Sequence, residues 1–143
     1  NATSSIARLI DMGVEPYLLS SVLIGVLAQR LVRKLCPHCK EEDKIAEGYA
    51  KEFNLPVGSK IYNAKGCRSC NYTGYMGRVA IGELFLMSDA IKKAIKDTTN
   101  DQVIREYAKR KGLKTISDQL KEELLAGNTS LEEAIRVGIK DDA

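Results

Sequence analysis

Apolar positions in the first quarter of the chain recur at helical spacing. Leu19, Leu23, Leu27, Leu31 and Leu35 stand four residues apart beside Leu18, Val22 and Val26, which predicts one long helix over Glu15 to Leu35 with a wide apolar face. The opposite stripe is Ser21, Gly25, Gln29 and Arg33, whose two small residues would admit a close neighbour. A helix apolar over so much of its circumference needs partners to cover it. A shorter helix is expected over Ser4 to Asp11, ended by Gly13, with Pro16 in the first turn of the long one.

From Cys36 to Cys70 the periodicity gives way to loop, with a short helix from about Asp43 to Phe53 and a turn at Leu55-Pro56-Val57-Gly58. The apolar run Val79, Ala80, Ile81, Leu84, Phe85, Leu86, Met87 predicts a strand over Arg78 to Met87. Four amphipathic helices follow. Ser88 or Asp89 is expected to cap the first, Thr99 with Gln102 the second, Thr115 with Asp118 the third and Thr129 with Glu132 the fourth, with Gly112, Gly127 and Gly138 as punctuation. The expected class is α+β and mainly helical: a long buried helix, a cysteine-bearing module, one or two short strands and a C-terminal helical bundle.

At 143 residues the chain has one domain's length. With 44% hydrophobic and 29% charged residues it has the make-up of a globular protein, not a disordered or low-complexity one. The run from Pro16 to Ala28 is shorter than the ~20 residues of a membrane-spanning helix, and the start lacks the order of a secretory signal, so no direct membrane insertion is expected. The first residue is Asn1, not Met, which suggests a piece of a longer protein. A net charge of +3 is too small to argue for a polyanionic partner. Its distribution is uneven, because Leu113 to Ala143 carries four basic and seven acidic residues, or −3, and leaves +6 on the rest.

All four cysteines fall into two pairs, Cys36-Pro37-His38-Cys39 and Cys67-Arg68-Ser69-Cys70, with 27 residues between them. Two residues between thiols make a tight knuckle that aims both sulfurs at one point, and two facing knuckles complete a tetrahedron around Zn²⁺. The gap exceeds the usual roughly 15 to 20 residues, but loop closure makes the extra length cost only ~0.4 kcal/mol. Two disulfides would suit an oxidising compartment, for which the chain shows no signal. A thioredoxin-like pair would need a βαβ setting that neither pair has. An iron centre uses the same ligand set and stays open beside zinc. Four thiolates leave no coordination position free, so the metal set Cys36, Cys39, Cys67 and Cys70 reads as structural, with no catalytic residue assigned. Arg33, Lys34, Lys40, Lys65, Arg68 and Arg78 would offset its negative charge, and His38, the sole histidine, is expected to face solvent on its knuckle.

Several segments resemble a known family. Gly13-Val14-Glu15-Pro16-Tyr17-Leu18-Leu19-Ser20-Ser21 and Leu27-Ala28-Gln29-Arg30-Leu31-Val32-Arg33-Lys34-Leu35-Cys36-Pro37-His38-Cys39 look like the C-terminal part of type II secretion and type IV pilus assembly ATPases. Gly66-Cys67-Arg68-Ser69-Cys70-Asn71-Tyr72-Thr73-Gly74-Tyr75-Met76-Gly77-Arg78 is similar to the second half of that family's tetracysteine zinc module, and Ile81-Gly82-Glu83-Leu84 to the strand after it. Gly127 to Val137 resembles the family's C-terminal helical segment.

The resemblance implies a hexameric cytoplasmic RecA-like motor, peripheral to the bacterial inner membrane through platform proteins, that turns ATP hydrolysis into pilin or pseudopilin assembly. Residues 1–35 would then be the C-terminal remnant of the motor domain, 36–78 the zinc module and 79–143 a helical subdomain. Zn²⁺ would be structural, with ATP and Mg²⁺ bound in the parent only. The chain contains no G-x-x-x-x-G-K-[ST] phosphate loop and is expected not to hydrolyse ATP by itself. The resemblance places Gln29, Arg30 and Arg33 on a motor-domain helix, facing nucleotide, a neighbouring subunit or helix-surface ion pairs. Without the motor's sheet, the helix Tyr17 to Leu35 is expected to pair with a second copy.

A zinc-ribbon nucleic-acid binder is the competing function, with Asp118 to Ala126 and Ser130 to Gly138 mimicking helix-turn-helix and Tyr72 and Tyr75 stacking on bases. Glu132 and Glu133 near the start of the would-be recognition helix repel phosphate, so no nucleic-acid partner is expected. Tyr72 and Tyr75 are expected to pack beside a knuckle, and Arg78 to bond loop carbonyls or the outer shell of the thiolates.

Overall fold

The computed structural model of the chain describes residues 1–98 and 100–142. Its elements are α1 (Ala2–Asp11), α2 (Pro16–Val22), β1 (Gly25–Leu35), β2 (Glu41–Lys44), α3 (Glu47–Glu52), β3 (Lys60–Asn63), β4 (Tyr75–Leu86), α4 (Asp89–Asp97), α5 (Asp101–Arg110), α6 (Ile116–Leu125) and α7 (Leu131–Val137). Short 3₁₀ turns cover Arg68–Cys70 and Ile139–Asp142. Two antiparallel two-stranded sheets, β1 with β4 and β2 with β3, complete an α+β fold.

The long helix expected over Glu15 to Leu35 is not formed. Helix α2 stops at Val22, Leu23 turns to extended backbone at φ −72°, ψ 127°, and the chain continues as the eleven-residue strand β1. A spacing of four is a multiple of the strand period of two as well as close to the helical 3.6, so the leucine repeat fits both. Gly25 and the β-branched Val22, Ile24, Val26 and Val32 tip the balance toward strand. At Gly25 a Cβ would stand 3.0 Å from the Phe85 carbonyl oxygen, so this glycine also permits close strand pairing. Leu27 and Leu31 lie on the exposed face of β1, while Val32 is fully buried.

The chain divides into two compact units, Asn1–Gln29 with Gly82–Thr115, and Arg30–Ile81 with Ile116–Ala143. Each unit draws on two stretches of sequence, so neither coincides with the consecutive segments 1–35, 36–78 and 79–143. In the first unit Ala2, Ile6, Leu19, Phe85, Ile91, Ile95, Ile104 and Ala108 form the core. Asn1 caps α1, its side chain accepting from the Ser4 N–H at 2.8 Å. The Glu15 carboxylate accepts the Tyr17 and Leu18 N–H groups at the start of α2. Ser88 caps α4, and Asn100 caps α5 by accepting the Gln102 N–H at 3.0 Å. Thr99, expected to cap α5, lies outside the described residues.

Inside this unit Glu83 of β4 is fully buried and meets the Arg105 guanidinium of α5 in a bidentate pair, 2.7 and 3.0 Å. The same carboxylate accepts the Ala2 N–H at 2.9 Å, tying the start of α1 to the strand.

In the second unit β2 and β3 pair from Glu41↔Asn63 to Lys44↔Lys60. The short helix expected from about Asp43 is confined to α3, because its first residues belong to β2. Ile45, Ala50, Phe53, Leu55 and Ile61 are buried in this part of the chain, and α6 and α7 pack on β3. Leu120, Leu124, Ala134 and Ile139 are fully buried. The α7 cap is Ser130, whose Oγ accepts the Glu133 N–H at 3.1 Å. Thr129, one residue earlier, instead donates its hydroxyl to the Arg33 carbonyl at 2.9 Å.

Candidate metal centre

The first knuckle begins where β1 ends. Cys36 donates its N–H to the Gly74 carbonyl at 2.9 Å and accepts the Lys40 N–H at 3.1 Å, so the turn carrying Cys39 folds back beneath Cys36. The second knuckle is the 3₁₀ turn Arg68–Cys70, entered from extended Cys67 and left through Asn71 at φ 53° and Tyr72 at φ 61°. Its turn is closed by the Tyr72 N–H to the Cys67 carbonyl at 2.8 Å and by the Thr73 hydroxyl to the Cys70 carbonyl at 2.7 Å.

Two glycines make this path passable. A Cβ on Gly66, at φ +108°, would lie 2.8 Å from the Tyr72 carbonyl oxygen, and one on Gly74, at φ +81°, would lie 2.7 Å from the Ala64 Cβ. Between the knuckles, the β2–β3 ladder begins two residues after Cys39 and ends four before Cys67. The 27-residue gap is therefore closed by hydrogen bonds close to the cysteines, and its length places no strain on the site.

The four Sγ atoms of Cys36, Cys39, Cys67 and Cys70 all lie within 4.8 Å of one another. Cys36 to Cys67 is 3.8 Å, Cys39 to Cys70 3.9 Å and Cys67 to Cys70 3.8 Å. All four are free thiols, far beyond the ~2.05 Å of a disulfide. Sulfurs ~2.3 Å from a common centre in a tetrahedron stand about 3.8 Å apart, so the spacing fits one tetrahedral metal ion. His38 is exposed and outside the cluster.

The surroundings act unequally on the thiols. Burial pushes Cys70 upward, but the Cys67 and Gly74 N–H groups, each 3.2 Å from its Sγ, and the Cys67 and Cys39 thiols outweigh it and hold the group at about 6. Burial raises Cys39 to about 11, against the Gly66 N–H and with the neighbouring thiols adding to the rise. Four thiolates so close together repel one another, and a cation at their centre removes that penalty.

Of the cations near the knuckles in sequence, Lys65 pairs with Glu41 at 3.0 Å. Lys40 donates to the Gly127 carbonyl at 2.9 Å and stands over the Tyr62 ring at 4.6 Å. Arg78 is exposed, and its side chain makes no hydrogen bond or ion pair among the described residues, contrary to its expected anchoring role. Its position on β4 turns it to solvent. Tyr75 packs away from the knuckles: its ring lies 4.1 Å from the Arg33 guanidinium carbon and its hydroxyl 2.6 Å from Ser130 Oγ. Tyr72 does not pack; it is 74% exposed, because left-handed backbone at the knuckle tip turns its ring outward.

Gln29, Arg30 and Arg33 stand on strand β1, not on a helix, and Gln29 and Arg30 are exposed. Arg33 makes an ion pair with Glu133 of α7. Glu133 is fully buried and accepts from the Arg33 N–H, Nε and Nη2 and from Arg136 Nε and Nη2. Burial alone would raise its carboxyl, but Arg136 and Arg33 lower it to about 2. In the sequence it had counted only as an acidic repellent of phosphate. The sequence signal for part of its role was the helical i,i+3 spacing to Arg136.

No helix among the described residues is long and apolar enough to cross a membrane. The family model described as Type II/IV secretion system protein matches residues 1–136. The chain is 42% identical over 137 residues to the type II secretion system protein E of Dickeya dadantii, covering 96% of this chain and 27% of that protein. It is 42% identical over 139 residues to the type IV pilus assembly ATPase PilB of Thermus thermophilus, covering 94% of this chain and 16% of that protein. For the type II secretion system ATPase E of Vibrio cholerae the figures are 42% over 138 residues, 95% and 27%. The chain thus spans about a quarter or less of the length of these relatives, yet matches them along nearly all of its own. It belongs to the type II/IV secretion system protein family.

Proposed function

We propose that this chain is the zinc-stabilised C-terminal part of a hexameric ATPase that powers type II protein secretion or type IV pilus assembly, and that it serves structure and protein contact in place of chemistry. The observation that carries the reading is the convergence of Cys36, Cys39, Cys67 and Cys70 at tetrahedral spacing in a chain of this family. These four cysteines hold one Zn²⁺, which supplies a crosslink between the two knuckles and no open position for activated water. Residues 36–78 are the metal-binding module, between a motor-domain end at 1–35 and a helical end at 79–143. The partners are neighbouring subunits of the parent hexamer and inner-membrane platform proteins, which keep the assembly at the cytoplasmic face of that membrane.

ATP and Mg²⁺ belong to the parent, since this chain contains no phosphate-loop sequence. The purified chain is expected to show no ATP turnover above a no-protein blank in a phosphate-release assay. Turnover that survives repurification and tracks the protein peak would overturn the structural assignment.

A further inference from the structure

Two guanidiniums in the second unit share one buried carboxylate, with donors left over. Arg33 of β1 and Arg136 of α7 both bind the buried Glu133 through Nε and Nη2. A guanidinium carries five N–H donors, so each arginine commits two and keeps three. Their side chains are 46% and 58% exposed, against 0% for the carboxylate between them. Glu133 neutralises one of the two cations, and neither arginine pairs with any other acidic group among the described residues. Glu132, one turn before Arg136 on the same helix, makes no ion pair with it.

Of the two arginines only Arg33 bridges α7 to β1, since Arg136 stands on the same helix as Glu133. Arg33 already gives Glu133 two side-chain bonds and one backbone bond, and its plane is fixed against the Tyr75 ring. The Tyr75 hydroxyl is held in turn by Ser130, the residue that caps α7. Arg136 adds a second cation where like charges would otherwise repel. The result is a pair of oriented forks with one unbalanced positive charge and half-exposed outer edges. Fixed forks of this kind bind oxyanions with little ordering cost. A carboxylate has two oxygens, enough for one fork, whereas a phosphoryl group offers three or more in a tetrahedral array.

We propose that Arg33 and Arg136, oriented by Glu133, form a binding site for a phosphoryl group. The site is separate from the cysteines and does not depend on which metal they hold. The test uses the metal-loaded chain, with ¹⁵N spectra of the arginine Nε–H groups recorded during titration with inorganic phosphate at ionic strength kept constant with chloride. Saturable shifts at both Arg33 and Arg136 are expected. Arg136→Gln should weaken binding by about tenfold or more, and Arg136→Lys, which keeps the charge but loses the fork, by several-fold. Melting curves of both variants report whether the fold is kept. Dimethyl phosphate separates the sources: binding equal to phosphate assigns a phosphodiester, and binding of phosphate alone assigns a monoester or the free ion. Shifts that never saturate, that acetate reproduces equally, or that persist unchanged in Arg136→Lys would overturn the site, and the first two are read on the unmutated chain.

Discussion

Glu83 in the first unit and Glu133 in the second are both fully buried carboxylates facing arginine, yet the arginine facing Glu83 is buried and those facing Glu133 are half-exposed. Glu83 meets the buried guanidinium of Arg105, 8% exposed, in a bidentate pair. Glu133 meets two guanidiniums that are half in solvent, and that cluster carries a surplus cation. The two units also differ in what accompanies their apolar cores. The first unit gathers apolar side chains from α1, α2, β4, α4 and α5 around Phe85, with the ion pair as a lock inside them. In the second unit, the chain between the knuckles buries five side chains beside a β2 strand that is exposed throughout, and its ends meet at four sulfurs. Both units are held by apolar burial, and the second adds sulfurs and charges converging on fixed points.

That contrast breaks most sharply if the metal is taken away. Cys67→Ser, or a strong chelator, removes a crosslink worth on the order of 10 kcal/mol in small zinc modules. Amide protection should collapse across Cys36 to Gly74 and persist at Ile6, Ile95 and Ile104, as read by hydrogen exchange. Equal loss in both units would mean that the apolar core does not stand by itself.

Next in size is Glu83→Ala, which removes the carboxylate that faces buried Arg105 and frees the Ala2 N–H. Breaking such a pair costs roughly 3–5 kcal/mol, to be measured by denaturant titration. A loss below about 1 kcal/mol would make the lock dispensable.

Acid distinguishes the two carboxylates further. The Glu133 carboxyl is lowered in the folded chain to about 2, so its contribution is complete above the unfolded value near 4.3 and is lost as pH falls toward 2. The contribution is on the order of 2–3 kcal/mol. Glu133→Gln should remove that part of the pH dependence of stability between pH 4.5 and about 2. An unchanged acid limb would show that the arginines do not hold the charge.

The smallest effect sharpens a helix boundary. Ser130→Ala should cost about 1 kcal/mol by unmaking the α7 cap and the Tyr75 contact. Asp89→Ala should change stability by less than that, since Ser88 supplies the α4 cap. Equal losses in the two would place the α4 cap wrongly.

The cysteine cluster was readable because two C-x2-C knuckles dictate their own local geometry, whatever lies between them. The last helices were readable for a similar reason, through glycine stops and short-range caps, although Ser130 displaced Thr129 once a strand carbonyl claimed the threonine. Strand β1 was hidden by its leucines, since spacing by four fits both periods, and only Gly25 with its β-branched neighbours argued for the sheet. Strand β2 was hidden differently. Glu41-Glu42-Asp43-Lys44 has no apolar alternation, and its pairing with β3 is imposed by the knuckles at either end. Glu133 and Arg33 lie 100 positions apart, a pairing that no local pattern announces.

The central claim is that four thiolates hold one zinc ion and thereby build the second unit. Elemental analysis of the purified chain, with zinc and iron counted per polypeptide, tests it most directly. The account predicts one zinc per chain, lost together with the protection of Cys36 to Gly74 on chelation. A stable chain that carries no metal and whose cysteines are oxidised would contradict it.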